Sequence, residues 1–270
     1  MARRYDTISF LSDYGHADEF VGVVHSVIRS LAPHATVVDL VHDLAPYDVR
    51  AASLALSRAV QYVAPGIVLA VVDPGVGTDR RGIAVEVGTD AEGYLIGPDN
   101  GLLAPAVAMS GGATRVFELT NPDYQLPSPG PTFAGRDVFA PAAAHLACGV
   151  SAERLGPEID PYTLLPGLLP LSRPDDGAIV AEILWIDRYG NCQLNIDPVE
   201  LEGWESPVVL RVGDVVRRLR VVRSFAELGP GQLGLIVDAY GLLAVVADRS
   251  SAADALGLQA GAPVVLEPAP

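Results

Sequence analysis

The chain has 270 residues, half of them apolar and 19% charged, which is enough for one large core or two moderate ones and excludes a disordered, collagenous or coiled-coil protein. Thirty-three acids stand against 18 bases, a net charge of −15, and that balance opposes nucleic acid and anionic membrane surfaces as partners. Every base is an arginine, so neither a Schiff-base lysine nor a phosphate-loop lysine can take part in the chemistry.

Taken in chain order, the first half alternates short apolar runs with helix-period segments. Ile8 to Leu11 reads as a strand, followed by a helix with Phe20, Val24, Ile28 and Leu31 on one face and with Asp18 and Glu19 at its start, where the helix dipole favours acids. Thr36 to Val41 is a second strand, Asp48 to Val63 a helix, and Ile67 to Val72 a strand apolar on both faces, as a doubly covered strand should be. Gly82 to Val87 and Tyr94 to Ile96 add strands, and Arg136 to Leu146 a helix. The pattern predicts an α/β domain with a central, mostly parallel sheet over residues 1–165. Prolines 157, 161, 166, 170 and 174 then interrupt the pattern, with a linker expected over residues 166–176. From residue 177 to 270 strands recur without helices between them: Ala178 to Ile186, Gln193 to Ile196, Pro207 to Val212, Val215 to Val222, Gly234 to Val237, Leu242 to Val246 and Pro263 to Leu266. That texture predicts a smaller all-β, barrel-like C-terminal domain, with no internal repeat.

Cys148 and Cys192 lie far apart with no CxxC, which predicts two thiols in a reducing compartment. Asp13 cuts the first apolar run short of a signal-peptide core, and the longest apolar runs are strand-sized, so a cytoplasmic protein without membrane partners is expected. The histidines at 16, 25, 34, 42 and 145 show no HxH or HxxxH spacing, and no metal site is expected from them. His25 and His145 read as packing residues. No GxSxG elbow supports a Ser-His-Asp triad.

Four polar segments interrupt the apolar pattern. Ser12-Asp13-Tyr14-Gly15 follows the first strand, where an acid either accepts hydrogen bonds from a ribose or serves as an ordinary turn residue. Asp73-Pro74-Gly75-Val76-Gly77-Thr78-Asp79-Arg80 follows the strand ending at Val72; its glycines let backbone approach a ligand, although a tight turn with an Asp73–Arg80 ion pair would look the same. Pro131 to Asp137 opens a helix whose free N–H groups suit an anion, and any helix start shares that property. Ile186-Asp187-Arg188-Tyr189-Gly190-Asn191 combines acid, amide and aromatic groups able to read a purine, and equally makes a hairpin turn.

In order along the chain, SDYG at 12–15, LAPYDV at 44–49, DPGVGTDRR at 73–81, GPDNGLL at 97–103, PTFAGRD at 131–137 and IDRYGN at 186–191 resemble the S-adenosyl-L-methionine (SAM) hydroxide adenosyltransferases, the adenosine-forming SAM hydrolases. The resemblance spans nearly the whole chain. It implies an N-terminal α/β domain, a barrel-like C-terminal domain and a homotrimer, with each SAM site between the N-terminal domain of one subunit and the C-terminal domain of its neighbour. It also implies SAM as substrate, with no cofactor, and adenosine and L-methionine as products. On this resemblance Asp13 holds the ribose diol and Asp73 with Arg80 positions the attacking water. Tyr47, Asp187, Tyr189 and Asn191 enclose adenosine, and Ala239 and Tyr240 lie near the methionine. Gly75, Val76, Asn100, Phe133 and Gly135 fall within the same motifs as substrate-binding positions.

One position departs from the family pattern. Where the hydrolases read TFHGRD, this chain has Ala134, and a methyl group can neither accept a proton nor hold a water. The catalytic set is then Asp73 and Arg80 with Ala134 at the family's histidine position, and reduced activity is expected, in a natural variant or in a chain altered to slow turnover. Two other readings compete: a SAM-dependent halogenase, whose family has an uncharged residue where Asp73 stands, and a non-catalytic SAM- or adenosine-binding module.

Overall fold

The structure is a computed structural model that describes residues 5–88 and 93–269. The chain divides into two compact units, residues 1–168 and 169–270. In the first, β1 (Thr7–Ser12), α1 (Phe20–Leu31), β2 (Thr36–Val41), α2 (Val49–Val60) and β3 (Ile67–Val71) alternate; β4 (Gly82–Val87), β5 (Gly93–Pro98), α3 (Ala104–Met109), β6 (Ala113–Glu118), α4 (Ala140–Ala147) and the short β7 (Glu158–Ile159) follow. The strands make one sheet in the order β2-β1-β3-β5-β4-β6-β7. It is parallel from β2 to β5 and antiparallel beyond.

Alternate residues of the central strands feed two cores. Ile8, Phe10, Leu69 and Ile96 pack with α1 and α4 on one face. Leu11, Val68, Ala70 and Leu95 pack with α2 and α3 on the other. Covering both faces is what makes these strands continuously apolar. Asp48 N-caps α2 by accepting the Ala51 N–H, so the expected helix start is one residue early and its end three residues late. The helix expected from Arg136 instead opens with a π-helical turn, Gly135–Phe139, before α4. Pro141 has no N–H to return to Asp137, whose carbonyl accepts the Leu126 N–H at 2.8 Å instead. Helix α3 and strand β6 had no clear periodic signal, being six residues each.

The second unit contains β8 (Arg173–Asp175), β9 (Ala178–Ile186), β10 (Cys192–Leu194), β11 (Val208–Val212), β12 (Val215–Val221), β13 (Leu233–Val237), β14 (Leu243–Ala247), α5 (Ala252–Leu256) and β15 (Pro263–Pro268). Seven strands close a barrel in the order β10-β14-β13-β12-β11-β15-β9, the β9–β10 pairing completing the ring, and β8 adds to the outside of β9. Closure removes exposed edges, which a small all-β unit otherwise has to protect. The barrel core gathers Ile183, Leu194, Leu210, Leu235, Val245 and Leu266, with α5 packed against it. Both cysteines are thiols, Cys148 donating to Leu31 O and Cys192 to Gly190 O. No helix among the described residues is long and apolar enough to cross a membrane.

Candidate active site

In the first unit the motif residues gather beyond the carboxyl ends of β1, β3 and β5, the usual ligand position in an open α/β sheet. Strand β3 ends in the hydrophobic core, so the residue that follows it is delivered to the rim with little exposure. The Asp73 side chain is only 6% exposed, and its Oδ2 accepts a hydrogen bond from Arg80 at 2.5 Å. Gly75, Val76 and Thr78 fold the intervening loop on itself: the Val76 N–H donates to Asp73 O, and the Thr78 N–H and hydroxyl donate to Gly75 O. The Arg80 guanidinium lies 5.3 Å from the centroid of the Phe139 ring. Two polar atoms of this pair, Asp73 Oδ1 and Arg80 Nε, are buried with no hydrogen-bond partner among the described residues. Unsatisfied buried groups are rare, and at a cleft they mark where a ligand or water is to be held. Burial pushes the Asp73 carboxyl above its ordinary value; the Arg80 charge and hydrogen bond and the Gly75 N–H pull it back only in part.

Tyr14 is the residue that sequence reading passed over, although it stands inside the SDYG motif. Its hydroxyl accepts the N–H of Gly135 and lies near enough to Asp13, Asp73 and Arg80 to feel their charges. Burial, then the two carboxylates, push it up, so it remains a protonated donor. A Cβ on Gly135 would stand 2.1 Å from that hydroxyl, so the close approach requires glycine. Phe133 packs edge-on against Tyr14 and Phe20, with ring centroids at 5.6 and 5.0 Å. Ala134, between Phe133 and Gly135, is half-buried and packs against the hydrophobic core.

Asp13 Oδ2 accepts the backbone N–H of Tyr47 at 2.8 Å. Tyr47 adopts a φ of +68°, strained for a residue with a side chain, and it is 73% exposed. The bond to Asp13 holds that strained turn. Asn100, one of the expected substrate-binding positions, donates through its amide to Val72 O and accepts the Leu102 N–H, pinning the backbone just before Asp73.

In the second unit the expected residues lie on two hairpins that proved to be copies of one motif. Asp187-Arg188-Tyr189-Gly190-Asn191 joins β9 to β10, and Asp238-Ala239-Tyr240-Gly241-Leu242 joins β13 to β14. In each, Oδ1 of the aspartate accepts the N–H groups two and four residues on, and the glycine takes a φ near +80°. Two five-residue matches 51 residues apart were too short to register as a repeat. A cavity of about 260 Å³ is lined by Asp187, Asn191, Ala239 and Tyr240, together with Trp185 and Phe225, which sequence reading missed. Trp185 and Tyr240 meet at 6.2 Å, ring to ring. Tyr189 and Asn191 also line a hollow of about 510 Å³ that contains Asp248, Arg249 and Ser251. Like Tyr47, Arg249 has a positive φ, +50°.

The family model described as the SAM hydroxide adenosyltransferase N-terminal domain matches residues 8–156, and that of the C-terminal domain matches residues 181–265. The chain belongs to the SAM hydroxide adenosyltransferase family. It is 42% identical to the (R)-S-adenosyl-L-methionine hydrolase of Salinispora tropica over 94% of this chain and 95% of the relative. It is also 42% identical to the hydrolase of the same name from Thermus thermophilus, over 96% and 98%. A fluorinase of Actinopolyspora mzabensis is 27% identical over 94% of each chain. The crystal structure of an uncharacterized conserved protein from Thermotoga maritima superposes with a TM-score of 0.89 at 30% identity, covering 96% of this chain and 99% of that one. This SAM hydroxide adenosyltransferase has an aspartate at 73, an arginine at 80 and an alanine at 134.

Proposed function

We propose that this chain hydrolyses SAM to adenosine and L-methionine, and that, as in the names of its relatives, the substrate has the R configuration at sulfur. Water attacks C5′ opposite sulfur; the C5′–O bond forms as the C5′–S bond breaks, sulfur keeps the bonding pair, and one water proton is released. Because sulfur leaves as a neutral thioether, the departing group needs no acid and no Lewis acid. The protein's part is to align and desolvate the water, an effect worth up to about 7–11 kcal/mol in favourable systems.

The observation that carries this reading is the buried Asp73–Arg80 pair with its unpartnered Oδ1 at the end of β3. Asp73 accepts a hydrogen bond from the water and draws off its proton; Arg80 keeps the carboxylate oriented. Tyr14, held neutral, donates toward the same corner. Asp13 takes the ribose hydroxyls, and the aromatic cavity of the second unit, with Asp187 and Asn191 at its edge, takes adenine. In the larger hollow Arg249 and Asp248 offer the cation and anion that an amino-acid zwitterion needs, which assigns the methionine end to the hollow beside Tyr189 and leaves Ala239 and Tyr240, placed near methionine by the resemblance, on the adenine side. The exposed tyrosines 47, 189 and 240 fit half-sites that are covered in a homotrimer, one copy supplying the first unit and its neighbour the second.

A carboxylate at 73 also favours water over halide. Two like charges about 4 Å apart repel by about 4 kcal/mol at an effective dielectric near 20, close to a thousandfold. Incubation with SAM in high chloride, followed by chromatography, should give adenosine and methionine in equal amounts. A dominant 5′-chloro-5′-deoxyadenosine product would replace this reading with a halogenase, and calorimetric SAM binding without any product would replace it with a binding module.

A further inference from the structure

We propose that His25, Asp39 and His42 form a binding site for a zinc-class divalent cation beside the first strand. Three elements converge to make it. His25 comes from α1 and Asp39 from β2, and His42 follows the end of β2. Residues three apart on a regular strand face opposite ways. Here the β1–β2 register slips, Phe10 opposing Asp39 and Leu11 opposing Val41, so Leu40 is an extra residue. The bulge turns His42 back to the side of Asp39. Both Nε2 atoms then aim at one carboxylate oxygen: His25 Nε2 is 2.8 Å and His42 Nε2 2.9 Å from Asp39 Oδ1. The donor atoms of all three lie within 4.8 Å of one another.

A cation bound at about 2.0–2.2 Å from tetrahedrally arranged nitrogen and oxygen donors separates those donors by about 3.3–3.6 Å. The two Nε2–Oδ1 contacts need to open by about half an ångström to reach that spacing, which side-chain torsions supply. Two imidazoles and a carboxylate suit zinc, cobalt or nickel rather than calcium or magnesium, which prefer oxygen. His42 is already oriented as a ligand: it is buried, its Nδ1 is 2.7 Å from Ser12 Oγ, and its ring lies 4.5 Å from that of Phe10. Such a hydrogen bond from the far nitrogen is the support that metal-binding histidines use. The side chains of His25 and Asp39 are 34% and 43% exposed, leaving an approach from solvent and room for water as a fourth ligand. Arg29 lines the adjoining hollow, with its guanidinium held by Pro33 O.

The same residues trace the connectivity of a hydrolase triad, Ser12 to His42 to Asp39, but Ser12 is fully buried and cannot meet a substrate. Its reach is toward the neighbouring cleft. His42 O accepts the Gly15 N–H at 2.8 Å, and Ser12 Oγ accepts the Tyr14 N–H at 3.3 Å. Holding His42 therefore steadies the segment that carries Asp13 and Tyr14.

The test is calorimetric titration of the metal-free, untagged chain with Zn²⁺ alone. One ion per chain is expected, bound at micromolar concentration or tighter. His25→Ala and Asp39→Asn should each weaken binding by about a hundredfold, and Ser12→Ala by about 10–100-fold. Co²⁺ added to the wild-type chain should give the visible absorption bands of a four- or five-coordinate ion. Absence of stoichiometric Zn²⁺ binding and of those bands, or an unchanged affinity in His25→Ala, overturns the proposal and leaves a metal-free hydrogen-bond cluster.

Discussion

At the scale of single residues, the proposed chemistry turns on Asp73 and on position 134. Asp73→Asn keeps the shape and removes the base, and adenosine formation should fall by about 10²–10⁴-fold, as is usual for loss of a general base. Because burial raises the Asp73 carboxyl despite Arg80, the acid limb of kcat/KM should lie above the ordinary carboxylate range, activity falling as pH drops through it. The sign for stability is opposite: a raised carboxyl contributes stability that is fully present below its unfolded value and is lost as pH rises through its folded one. An ionised Asp73 is therefore held at the expense of some stability. Ala134→His should raise the adenosine-forming rate, by about tenfold or more if the imidazole joins proton transfer; an unchanged rate in a discontinuous chromatographic assay would show that this position does not touch the reaction.

At the level of elements, the π-helical turn from Gly135 to Phe139 is what brings backbone against Tyr14. Gly135→Ala would set a methyl group 2.1 Å from the Tyr14 hydroxyl, and Tyr14 cannot swing away because Phe20 and Phe133 hold its ring. Overpacking of this kind costs about 1–3 kcal/mol. Chemical denaturation should show that loss, and Tyr14→Phe in the same chain should recover part of it, because the contact that remains is to ring carbon at 3.0 Å. The paired hairpins of the barrel follow another local rule. An aspartate that satisfies two N–H groups of its own turn fixes the loop before any ligand arrives, which lowers the ordering cost of binding.

Across the whole molecule, a buried ion pair closes the first unit. Asp99 is 5% exposed. Its carboxylate takes the Arg81 guanidinium through Oδ2 and the Leu165 N–H through Oδ1, and Arg81 in turn holds Thr163. This ties the last stretch of the unit to the sheet. Asp99→Asn leaves Arg81 without its counter-charge, and because the Arg81 side chain is 28% exposed the expected loss is smaller than the about 3–5 kcal/mol of a fully buried pair broken from one side, read as a lower denaturation midpoint.

Much of this was written in the sequence because it depends on local pattern. Apolar runs gave β1 to β5 and β9 to β15 to within a residue or two, though not β6, β7 or β8, since doubly covered strands must be continuously apolar and α1 shows its buried face at spacings of three and four. The ordered motifs identified the family through Asp13, Asp73, Arg80 and Asp187, residues that occupy turns and depend little on distant packing. Tertiary structure alone decided the rest. The π-helical turn arises from competition for the Asp137 carbonyl by Leu126, eleven residues upstream and invisible to a helical period. Tyr14 reads as part of a turn until Gly135 is folded against it. His25, Asp39 and His42 lack ligand spacing along the chain, and only a one-residue bulge on β2 turns them toward one point. Periodicity records which way side chains face along one element; it carries no information about which elements meet.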